Sequence, residues 1–526
     1  MSAAPILTVR DLSILLPRGG DRPFAVQEVS FDLAPAEILC VVGESGSGKS
    51  VLTSAILGAL PPGLAIGGGR ITLGGDDLAG LSESGWRTVR GRRVALVPQE
   101  PMAALNPTAR VGRQVEEVFA IHGQLDAAGR RAEVLRLITD MRLPDPERIA
   151  AAYPHQLSGG QCQRICIAMA LALRPEVLIA DEPTTALDVT TQAQVLKLVR
   201  ELRDRDGQGV LFITHDLGVV AEIADRIAVM QMGRLVEIGP AADVLRTPAH
   251  PYTRARLAAV PSLTPAPRAV LRRISEPCLS IEGLSKSYGV VQALKPADLV
   301  VERGTTLAIV GESGSGKSTL ARLLVRLTDC SSGRAVVNGE DLAQLSGKRL
   351  RLARRAIQMV FQDPFGALNP RRSVGSMIAR AAALGGDAPA AAKAHAHALL
   401  NRVGLGPDAY DRPPSAFSGG QRQRIGIARA LALRPQVLIA DESVSALDVS
   451  VQAEILALLR TLQAELGLTI LFITHDLRAA AQISDRIAVM CAGEIVEIGE
   501  AGVLLGAPVH PYTQALLAAA PGRGVI

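Results

Sequence analysis

VVGESGSGKS at residues 41–50 returns as IVGESGSGKS at residues 309–318, and this repeated stretch decides the fold. Each copy fits the pattern Gly-x4-Gly-Lys-Ser, follows a short apolar run and opens a stretch with helical apolar spacing. A glycine-rich turn between a strand and a helix directs backbone N–H groups, and the positive end of the helix dipole, toward one anion. We therefore predict two nucleotide-binding P-loops in one chain.

Other parts of the sequence are duplicated in the same order. LSGGQCQRICIAMALALRPEVLIADEPTTALDV at 157–189 returns as FSGGQRQRIGIARALALRPQVLIADESVSALDV at 417–449. HPYT at 250–253 returns 260 residues later, at 510–513. A period of this length indicates a duplicated domain rather than a solenoid. We expect a first domain, a proline-rich linker and a second domain at 1–262, 263–277 and 278–526.

Apolar runs alternate with helical patterns within each copy. Buried strands are predicted at 37–42, 177–181 and 210–216 and, in the second copy, at 306–310, 437–441 and 469–476. Helices are predicted at 50–60, 193–205, 318–327 and 453–465. This alternation predicts an α/β fold with a parallel sheet in each copy. The last strand pair of each copy is expected to be a hairpin that turns at Gly233 or Gly493.

The composition excludes several classes of protein. With 526 residues, 48 % of them apolar, and a net charge of +5, the chain is not disordered and is long enough for more than one domain. No apolar run reaches about 18 residues, so we expect no transmembrane helix. The opening MSAAPILTVRDLS has no basic region followed by an apolar one, so no secretory signal is expected. The six cysteines show no paired spacing, which favours a reduced, cytoplasmic compartment.

The P-loop pattern gives individual residues a chemical task. The Lys49 and Lys317 ammonium groups would neutralise phosphate charge, and the Ser50 and Ser318 hydroxyls would bind Mg²⁺. The residues expected to surround the nucleotide are Gly43, Ser45, Gly46, Gly48, Lys49 and Ser50 in the first copy and Gly311, Ser313, Gly314, Gly316, Lys317, Ser318 and Thr319 in the second.

Acidic residues follow the apolar run VLIAD in both copies. Asp181 and Asp441 end the run, and Glu182 and Glu442 come directly after it. The aspartates can hold Mg²⁺ through water, and a carboxylate beside the γ-phosphate can polarise an attacking water. The alternative is that these acids only cap the next helix. Their repetition after two P-loops favours ATP hydrolysis.

The remaining repeated motifs resemble those of ABC ATPases. Ser158-Gly159-Gly160-Gln161 and Ser418-Gly419-Gly420-Gln421 match the signature that this family carries shortly before the VLIADE stretch. The other matching residues are Gln99 and Gln362 of the Q-loop, Ala186-Leu187-Asp188 and Ala446-Leu447-Asp448 of the D-loop, and the switch histidines His215 and His475. The resemblance covers essentially the whole chain, twice.

The resemblance implies tandem ABC nucleotide-binding domains of the P-loop NTPase class, each with a mainly parallel sheet core, an antiparallel β portion and a helical subdomain. It also implies a head-to-tail pseudo-dimer, in which the P-loop of one copy and the signature of the other enclose ATP. In the family pattern Glu182 and Glu442 act on water together with the switch histidines. Mg²⁺ would be held by Ser50, Gln99 and Asp181 at one site and by Ser318, Gln362 and Asp441 at the other.

The two copies depart from the family pattern in different places. Tyr288 matches the aromatic residue that stacks on adenine, whereas the first copy has Leu15-Leu16 at the aligned place, with Phe24 nearby. Weaker adenine stacking is therefore expected at the first site. Within the first signature helix, Cys162 stands where the second copy has Arg422.

An ATPase without a membrane span must pass its motion to another molecule. Three hypotheses compete: the partner is a transporter permease, the ribosome or DNA. Tandem ABC proteins of the ribosome usually have a long charged linker, and those that act on DNA have coiled coils or zinc ligands; the sequence shows neither feature. QEPMAALNP, QDPFGALNPR and the HPYT segments instead resemble peptide/nickel-type importers, which move dipeptides, oligopeptides, glutathione or nickel chelates. A soluble tandem ABC ATPase acting on the ribosome remains the alternative.

This resemblance implies partners in other chains. Two membrane permeases would contact the residues after each Q-loop through their coupling helices, and a periplasmic or extracellular solute-binding protein would act indirectly. We expect a peripheral protein at the cytoplasmic face of the inner membrane, with ATP and Mg²⁺ as cofactors and no nucleic acid. Some importers of this group carry an iron–sulphur segment after HPYT. Because only Cys278 follows the first HPYT within reach, no iron–sulphur cluster is expected.

Overall fold

The structure is a computed structural model that describes residues 4–17, 19, 22–184, 187–265, 274–444 and 447–522. Ala186 and Ala446 of the expected D-loops, and residues 266–273 of the expected linker, lie outside the described residues. The chain divides into two compact units, one made of Met1–Leu187, Thr191–Ala258 and Pro521–Ile526 and the other of Asp188–Thr190 and Ala259–Ala520. The domain boundaries expected from the sequence remain a prediction.

The first copy combines an antiparallel sheet with a mainly parallel one. Its strands are β1 (Leu7–Leu15), β2 (Phe24–Leu33), β3 (Ile38–Val42), β4 (Ala65–Leu73), β5 (Asp76–Asp77), β6 (Val94–Val97), β7 (Val177–Asp181), β8 (Gly209–Thr214), β9 (Arg226–Gln231) and β10 (Arg234–Pro240). The antiparallel sheet has the order β2-β1-β4-β5, and the other sheet has the order β10-β9-β3-β8-β7-β6. The central strand β3 pairs in parallel with β8 and β9, and β10 runs antiparallel to β9.

The helices of the first copy follow the strands in an α/β alternation. They are α1 (Lys49–Ile56), α2 (Glu83–Val89), α3 (Pro101–Ala104), α4 (Val111–Ile121), α5 (Ala127–Asp140), α6 (Pro146–Ala151), α7 (Gly159–Leu171), α8 (Val189–Asp206), α9 (Leu217–Ile223), α10 (Ala241–Arg246) and α11 (Pro251–Ala259). The run α3 to α6 forms a helical segment between β6 and β7, and α7 leads from that segment back to the sheet.

The second copy repeats this architecture. Its strands are β11 (Ile274–Tyr288), β12 (Val291–Arg303), β13 (Thr306–Val310), β14 (Ser332–Val337), β15 (Glu340–Asp341), β16 (Ile357–Val360), β17 (Val437–Asp441), β18 (Thr469–Thr474), β19 (Arg486–Cys491) and β20 (Glu494–Glu500). The sheet orders are β12-β11-β14-β15 and β16-β17-β18-β13-β19-β20. The helices are α12 (Lys317–Leu324), α13 (Gly347–Ala356), α14 (Pro364–Ala367), α15 (Val374–Gly385), α16 (Pro389–Arg402), α17 (Gly419–Leu431), α18 (Val449–Leu466), α19 (Leu477–Ile483), α20 (Ala501–Gly506) and α21 (Pro511–Ala518).

The central strand of the second copy is buried on both faces. Leu307 and Ile309 of β13 enter the apolar core shared with the antiparallel sheet, whereas Ala308 and Val310 enter the core shared with the helices. A strand buried in this way is a continuous apolar run, because neither face needs polar side chains. This explains why the sequence TLAIV predicted a buried parallel strand. The P-loop follows the carboxyl end of β13 and therefore lies at the edge of both cores.

The helix after each P-loop ends earlier than the sequence predicted. α1 stops at Ile56 instead of residue 60. Gly58 adopts a left-handed φ of +61°, and two prolines follow at 61 and 62, so the backbone leaves the helix there. In the second copy the backbone turns at Arg326, whose φ is +55°, two residues after the end of α12.

The predicted fold class is confirmed in each copy: a mainly parallel sheet core, an antiparallel β portion and a helical segment. The closing hairpins turn at Gly233 and Gly493, whose φ angles are +85° and +81°. Among the residues that the structure describes, none of the helices combines the length and apolarity needed to cross a bilayer.

Candidate functional site

The P-loop lysine is buried and holds the loop backbone. Lys49 Nζ donates to the carbonyl oxygens of Gly43 at 2.8 Å and Glu44 at 2.9 Å. Lys317 Nζ makes the same bonds in the second copy, to Gly311 at 2.8 Å and Glu312 at 2.7 Å. Burial lowers the pKa of Lys317 below its usual value. Each ammonium group therefore holds the backbone of its own loop in a curved conformation.

The helix after the P-loop begins at a position that requires glycine. Gly48 and Gly316 cap α1 and α12 with a φ of +101°. Residues with a side chain rarely adopt this left-handed backbone conformation. A Cβ atom at Gly48 would lie 2.5 Å from the Ala25 carbonyl oxygen, and one at Gly316 would lie 2.6 Å from that of Ala293. Close backbone packing thus directs the start of the helix toward the loop.

The other predicted P-loop residues lie in the turn between strand and helix. The residues at the tip of the turn are exposed to solvent: Ser45 and Gly46 in the first copy and Ser313 and Gly314 in the second. Ser50 is exposed in the first turn of α1, and Ser318 and Thr319 are half-buried in the first turn of α12. The loop therefore presents its backbone to solvent while Lys49 or Lys317 supports it from inside.

The acidic pair lies at the carboxyl end of β7 and of β17. Glu182 and Glu442 adopt left-handed φ angles of +46° and +45°, which are unusual for a residue with a side chain. Their backbone N–H groups donate to the Ile213 and Ile473 carbonyl oxygens of the neighbouring strands at 2.9 and 2.8 Å. Strained backbone of this kind is characteristic of functional sites, where the surrounding structure holds it in place.

The predicted glutamate, glutamine and histidine come together in each copy. In the first copy Gln99 Nε2 donates to Glu182 Oε2 at 2.9 Å, and His215 Nδ1 lies 3.2 Å from the same oxygen. In the second copy Gln362 Nε2 donates to Glu442 Oε2 at 2.7 Å. His475 Nδ1 lies 3.8 Å from Glu442 Oε1, and this ring lowers the pKa of Glu442 below its usual value.

The neighbouring aspartates lie beside the P-loop serines, and Asp441 is buried whereas Asp181 is half-buried. Ser318 Oγ donates to Asp441 Oδ1 at 3.3 Å. Burial, together with the Glu442 carboxylate, raises the pKa of Asp441 to about 6. Burial and the Glu182 carboxylate also raise the pKa of Asp181, whose buried Oδ1 atom has no hydrogen-bond partner. A buried carboxylate oxygen without a donor is suited to a cation.

The signature residues cap the helix that follows them. Ser158 Oγ accepts from the Gln161 N–H at 3.3 Å, and the Gln161 side chain accepts from the Ser158 N–H at 3.0 Å. Ser418 and Gln421 form the same capping box at the start of α17. Gly160 and Gly420 leave no space for a Cβ, which would lie 2.5 and 2.3 Å from methyl carbons of Thr191 and Val451. Gly159 and Gly419 are the first helical residues.

The predicted adenine-stacking residue ends the first strand of its copy. Tyr288 is the last residue of β11 and is 49 % exposed, and Lys286 Nζ lies 5.0 Å from the centre of its ring. Leu15 is the last residue of β1 and is 40 % exposed. The structure thus places Leu15 and Tyr288 at equivalent strand ends, and Leu16 packs against the core.

The HPYT segments contribute contacts that the sequence analysis did not foresee. The tyrosine hydroxyls of both segments accept a hydrogen bond from a P-loop N–H group, at Glu44 and at Glu312. The repetition of HPYT was the available signal, but its spacing says nothing about which part of the fold the segment contacts.

Comparison with known protein families identifies the family to which the chain belongs. A family model described as ABC transporter matches residues 26–185 and 294–445, more than half of the chain. The chain belongs to the ABC transporter family. A second model, described as the C-terminal region of oligopeptide/dipeptide transporters, matches residues 236–286 and 496–524. Both HPYT segments lie within these two ranges.

Members of the ABC transporter family resemble the chain along its full length. It is 44 % identical over 527 residues to the peptidoglycan transport ATP-binding protein YejF of Agrobacterium fabrum, covering 98 % of this chain and 96 % of that protein. It is 43 % identical over 566 residues to the glutathione import ATP-binding protein GsiA of Escherichia coli K12, covering 99 % of this chain and 90 % of that protein.

A solved structure shows the same fold. It is the complex of the archaeal ribosomal stalk protein aP1 with the ribosome recycling factor aABCE1, and it aligns with a TM-score of 0.62 and 21 % identity over 92 % of this chain and 88 % of that chain. At this identity the likeness shows the fold alone and gives no support to the ribosomal alternative.

Membership of this ABC family establishes the activity. The chain is an ATP-binding, ATP-hydrolysing subunit of a transporter, as the sequence predicted, and it carries two ABC cassettes in one polypeptide. The alternative of a ribosomal ATPase is not favoured, because the full-length relatives are transport proteins.

Proposed function

We propose that the chain is the energy-coupling subunit of an importer for peptides or related small solutes. The observation that carries this proposal is the full-length likeness to two transport ATP-binding proteins, whose names specify peptidoglycan transport and glutathione import. The oligopeptide/dipeptide match at the end of each copy supports the same class of cargo. Both cargoes contain short peptides, so a peptide backbone is the shared chemistry.

Each copy contributes one set of nucleotide-binding groups. Lys49 and Lys317 would move from their present carbonyl partners to the β- and γ-phosphates, and the exposed N–H groups of the loop tip would surround them. Tyr288 would stack on adenine at the second site. Glu182 and Glu442 would polarise the attacking water, with His215 and His475 beside them.

The residues around the acidic pair fit Mg²⁺. Ser50, Gln99 and Asp181, with their counterparts Ser318, Gln362 and Asp441, offer only oxygen ligands, which this ion prefers. The unpartnered Asp181 Oδ1 supports this assignment, as does the raised pKa of Asp441, because a cation would favour its charged form. When bound, Mg²⁺ would neutralise charge on the phosphates.

The signatures would complete these sites. Ser158 and Ser418 are exposed at the start of a helix. Neither signature contains an acidic residue that could supply an anion to the positive end of its helix. We infer that each signature receives the phosphates held by the other copy, in an intramolecular pseudo-dimer of the kind that the family resemblance implies. Covalent linkage would then give the two cassettes a high effective concentration.

The helical segment offers a surface for a permease. An open groove of about 670 Å³ in the first copy lies beside α4 and α5, and its lining includes Asn106, Arg110, Arg113, Glu116, Glu117, Arg130 and Tyr153. The second copy has uncharged residues or an opposite charge at four of the charged places: Ser373, Ser376, Ala379 and Arg380 align with Arg110, Arg113, Glu116 and Glu117. This difference supports two different permeases, one for each copy.

Transport through such permeases would place the chain at the cytoplasmic face of the inner membrane. It would be held there by the permeases, and a periplasmic or extracellular solute-binding protein would deliver the peptide to them. The chain itself would make no contact with the cargo, so substrate choice would belong to those partners.

Reconstitution tests this function. The chain would be expressed with the permeases encoded beside its gene, purified from membranes and placed in proteoliposomes with labelled glutathione or short peptides and the binding protein. We expect ATP-dependent uptake that the matched Lys49→Ala/Lys317→Ala variant lacks. Failure to purify with any permease, together with sedimentation on ribosomes, would overturn the proposal.

A further inference from the structure

The HPYT tyrosine contacts the first peptide bond of the P-loop in each copy. Tyr252 Oη accepts from the Glu44 N–H at 3.4 Å, and Tyr512 Oη accepts from the Glu312 N–H at 3.2 Å. Glu44 and Glu312 directly follow the first glycines of the loops, Gly43 and Gly311. The segment near the end of each copy therefore reaches the loop near its beginning, some 200 residues away.

The tyrosine and the P-loop lysine hold the same peptide unit from opposite ends. The Gly43 carbonyl and the Glu44 N–H belong to one peptide bond; Lys49 Nζ donates to its oxygen at 2.8 Å, while Tyr252 accepts from its nitrogen. A peptide plane held at both ends cannot rotate about its neighbouring bonds without breaking one contact. That rotation would change the direction of the N–H groups that follow.

The segment that carries the tyrosine is itself held by backbone contacts. The Glu237 carboxylate accepts from the N–H groups of Ala249 at 2.7 Å and His250 at 3.1 Å, and His250 Nδ1 accepts from the Tyr252 N–H at 3.2 Å. Glu497 repeats this arrangement in the second copy with Val509 and His510. The hydroxyl is thus presented to the loop by a pre-formed turn rather than by a freely rotating side chain.

A buried arginine extends this arrangement in the first copy. Arg256, 4 % exposed, lies one helical turn after Tyr252; Nη1 donates to Tyr252 Oη at 3.3 Å and lies 3.7 Å from Glu44 Oε1. Nη2 donates to the His215 carbonyl oxygen at 3.4 Å. One guanidinium group therefore contacts the tyrosine and the glutamate at the P-loop as well as the backbone of the switch histidine.

The second copy has an apolar residue at this place. Leu516 aligns with Arg256, is 1 % exposed and packs in the helical core. The fold therefore does not need a cation here, and burying one is costly unless all its donors are paired. Arg256 Nε is buried without a hydrogen-bond partner. An imperfectly paired cation, in a position that leucine fills in the other copy, points to a task other than packing.

We propose that Tyr252 and Tyr512 are positioning residues for the two P-loops, and that Arg256 links the first P-loop to the backbone of His215. The link joins the loop that binds phosphate to the loop that carries the switch histidine, and it exists in one copy. The two ATP sites are then unequal by construction. This inference rests on the proposed function in one respect, that ATP is the ligand of both loops.

Hydrogen exchange in the full-length chain without nucleotide tests the tyrosines. Tyr252→Phe removes the acceptor of the Glu44 N–H, so exchange in a peptide covering 41–50 should become several-fold faster while that covering 309–318 stays unchanged. Tyr512→Phe should give the reverse pattern. Unchanged exchange at both loops in both variants would overturn the proposal.

Arg256→Leu, which installs the residue of the second copy, tests the link. Exchange should rise both in 41–50 and in 213–217, and the KM for ATP should rise several-fold with little loss of melting temperature. Arg256→Lys should restore part of the KM. Arg254→Gln is the matched control: the second copy has Gln514 there, and its Nε2 donates to the Pro508 carbonyl oxygen as Arg254 donates to that of Pro248.

Two outcomes separate this inference from the proposed function. A lower melting temperature in Arg256→Leu, with exchange and KM unchanged, would make the arginine merely structural and overturn the link. Lys49→Ala that bound ATP normally would contradict the proposed site, whereas the exchange results in the absence of nucleotide would be unaffected.

Discussion

Gln362 donates a hydrogen bond to Glu442, with 2.7 Å between Nε2 and Oε2, although the two residues are 80 positions apart. The first copy has the same bond between Gln99 and Glu182, at 2.9 Å. Each glutamine begins the segment that leads into the helices proposed to contact a permease. The bond therefore joins that segment to the carboxylate proposed to act on water, and a shift of the segment would change the surroundings of the carboxylate.

Glu442→Gln should separate ATP binding from hydrolysis. The carboxamide has nearly the shape of the carboxylate but is a far weaker base, and loss of general-base catalysis typically costs about 10² to 10⁴ in rate. We expect the double variant Glu182→Gln/Glu442→Gln to retain ATP through gel filtration and release almost no phosphate. Turnover of this variant at the rate of the parent chain would show that the glutamates are wrongly assigned.

Arg422→Cys should destabilise the second signature turn. Arg422 is buried, and its Nε and Nη2 atoms donate to the carbonyl oxygens of Pro414 at 2.8 Å and Ser415 at 3.3 Å. Loss of the donor to the buried Pro414 carbonyl oxygen costs about 1–3 kcal/mol, so the apparent melting temperature should fall. Cys162→Ala is the control, since Cys162 Sγ makes a contact of 3.5 Å to Pro154 and sulfur is a weak donor. Equal effects of both substitutions would contradict this account.

Most of the fold follows from the sequence because its decisive features are local. The first four residues of VLIAD and the last four of TLAIV are all apolar, and this is the pattern of a parallel strand buried on both faces. The ends of the helices were less predictable, because the left-handed turn at Gly58 shortens α1 although the apolar spacing continues.

The residues of the candidate site could be named from the sequence, and their roles remain a prediction, but the contacts that support them could not be named. The hydrogen bond from Gln99 to Glu182 brings together two motifs that are far apart in the sequence. Their spacing along the chain does not indicate how close they lie in the fold. The contacts of Tyr252 and Arg256 with the P-loop were missed for the same reason. The sequence did contain the difference between Arg256 and Leu516, yet its meaning depends on burial, which only the structure shows.

The pH dependence of stability should identify the half-buried Tyr512. Burial raises the pKa of Tyr512 to about 12, above its usual value of 10.0. Between these values the folded chain keeps a proton that the unfolded chain has lost, so this group makes the free energy of unfolding fall as the pH rises. Urea unfolding between pH 9 and 11 should show a steeper decline for the parent chain than for Tyr512→Phe. Parallel curves for the two proteins would exclude the Tyr512 hydroxyl as the cause.

Exchange of the residues at the two equivalent strand ends should change adenine binding in opposite directions. Stacking of a base on an aromatic ring contributes about 1–3 kcal/mol, and about 1.4 kcal/mol corresponds to a tenfold change in Kd. With the first site disabled by Lys49→Ala, Tyr288→Leu should weaken ATP binding about tenfold or more. With the second site disabled by Lys317→Ala, Leu15→Tyr should strengthen ATP binding, because Leu15 is already 40 % exposed and a ring there needs no repacking.

Equilibrium binding of labelled ATP measures both effects, and Val290→Ala, at a fully exposed position near Tyr288, should leave Kd unchanged. If Tyr288→Leu bound ATP as tightly as its parent, adenine would be held by other residues, and the proposed inequality of the two sites would have to arise from the link through Arg256 alone.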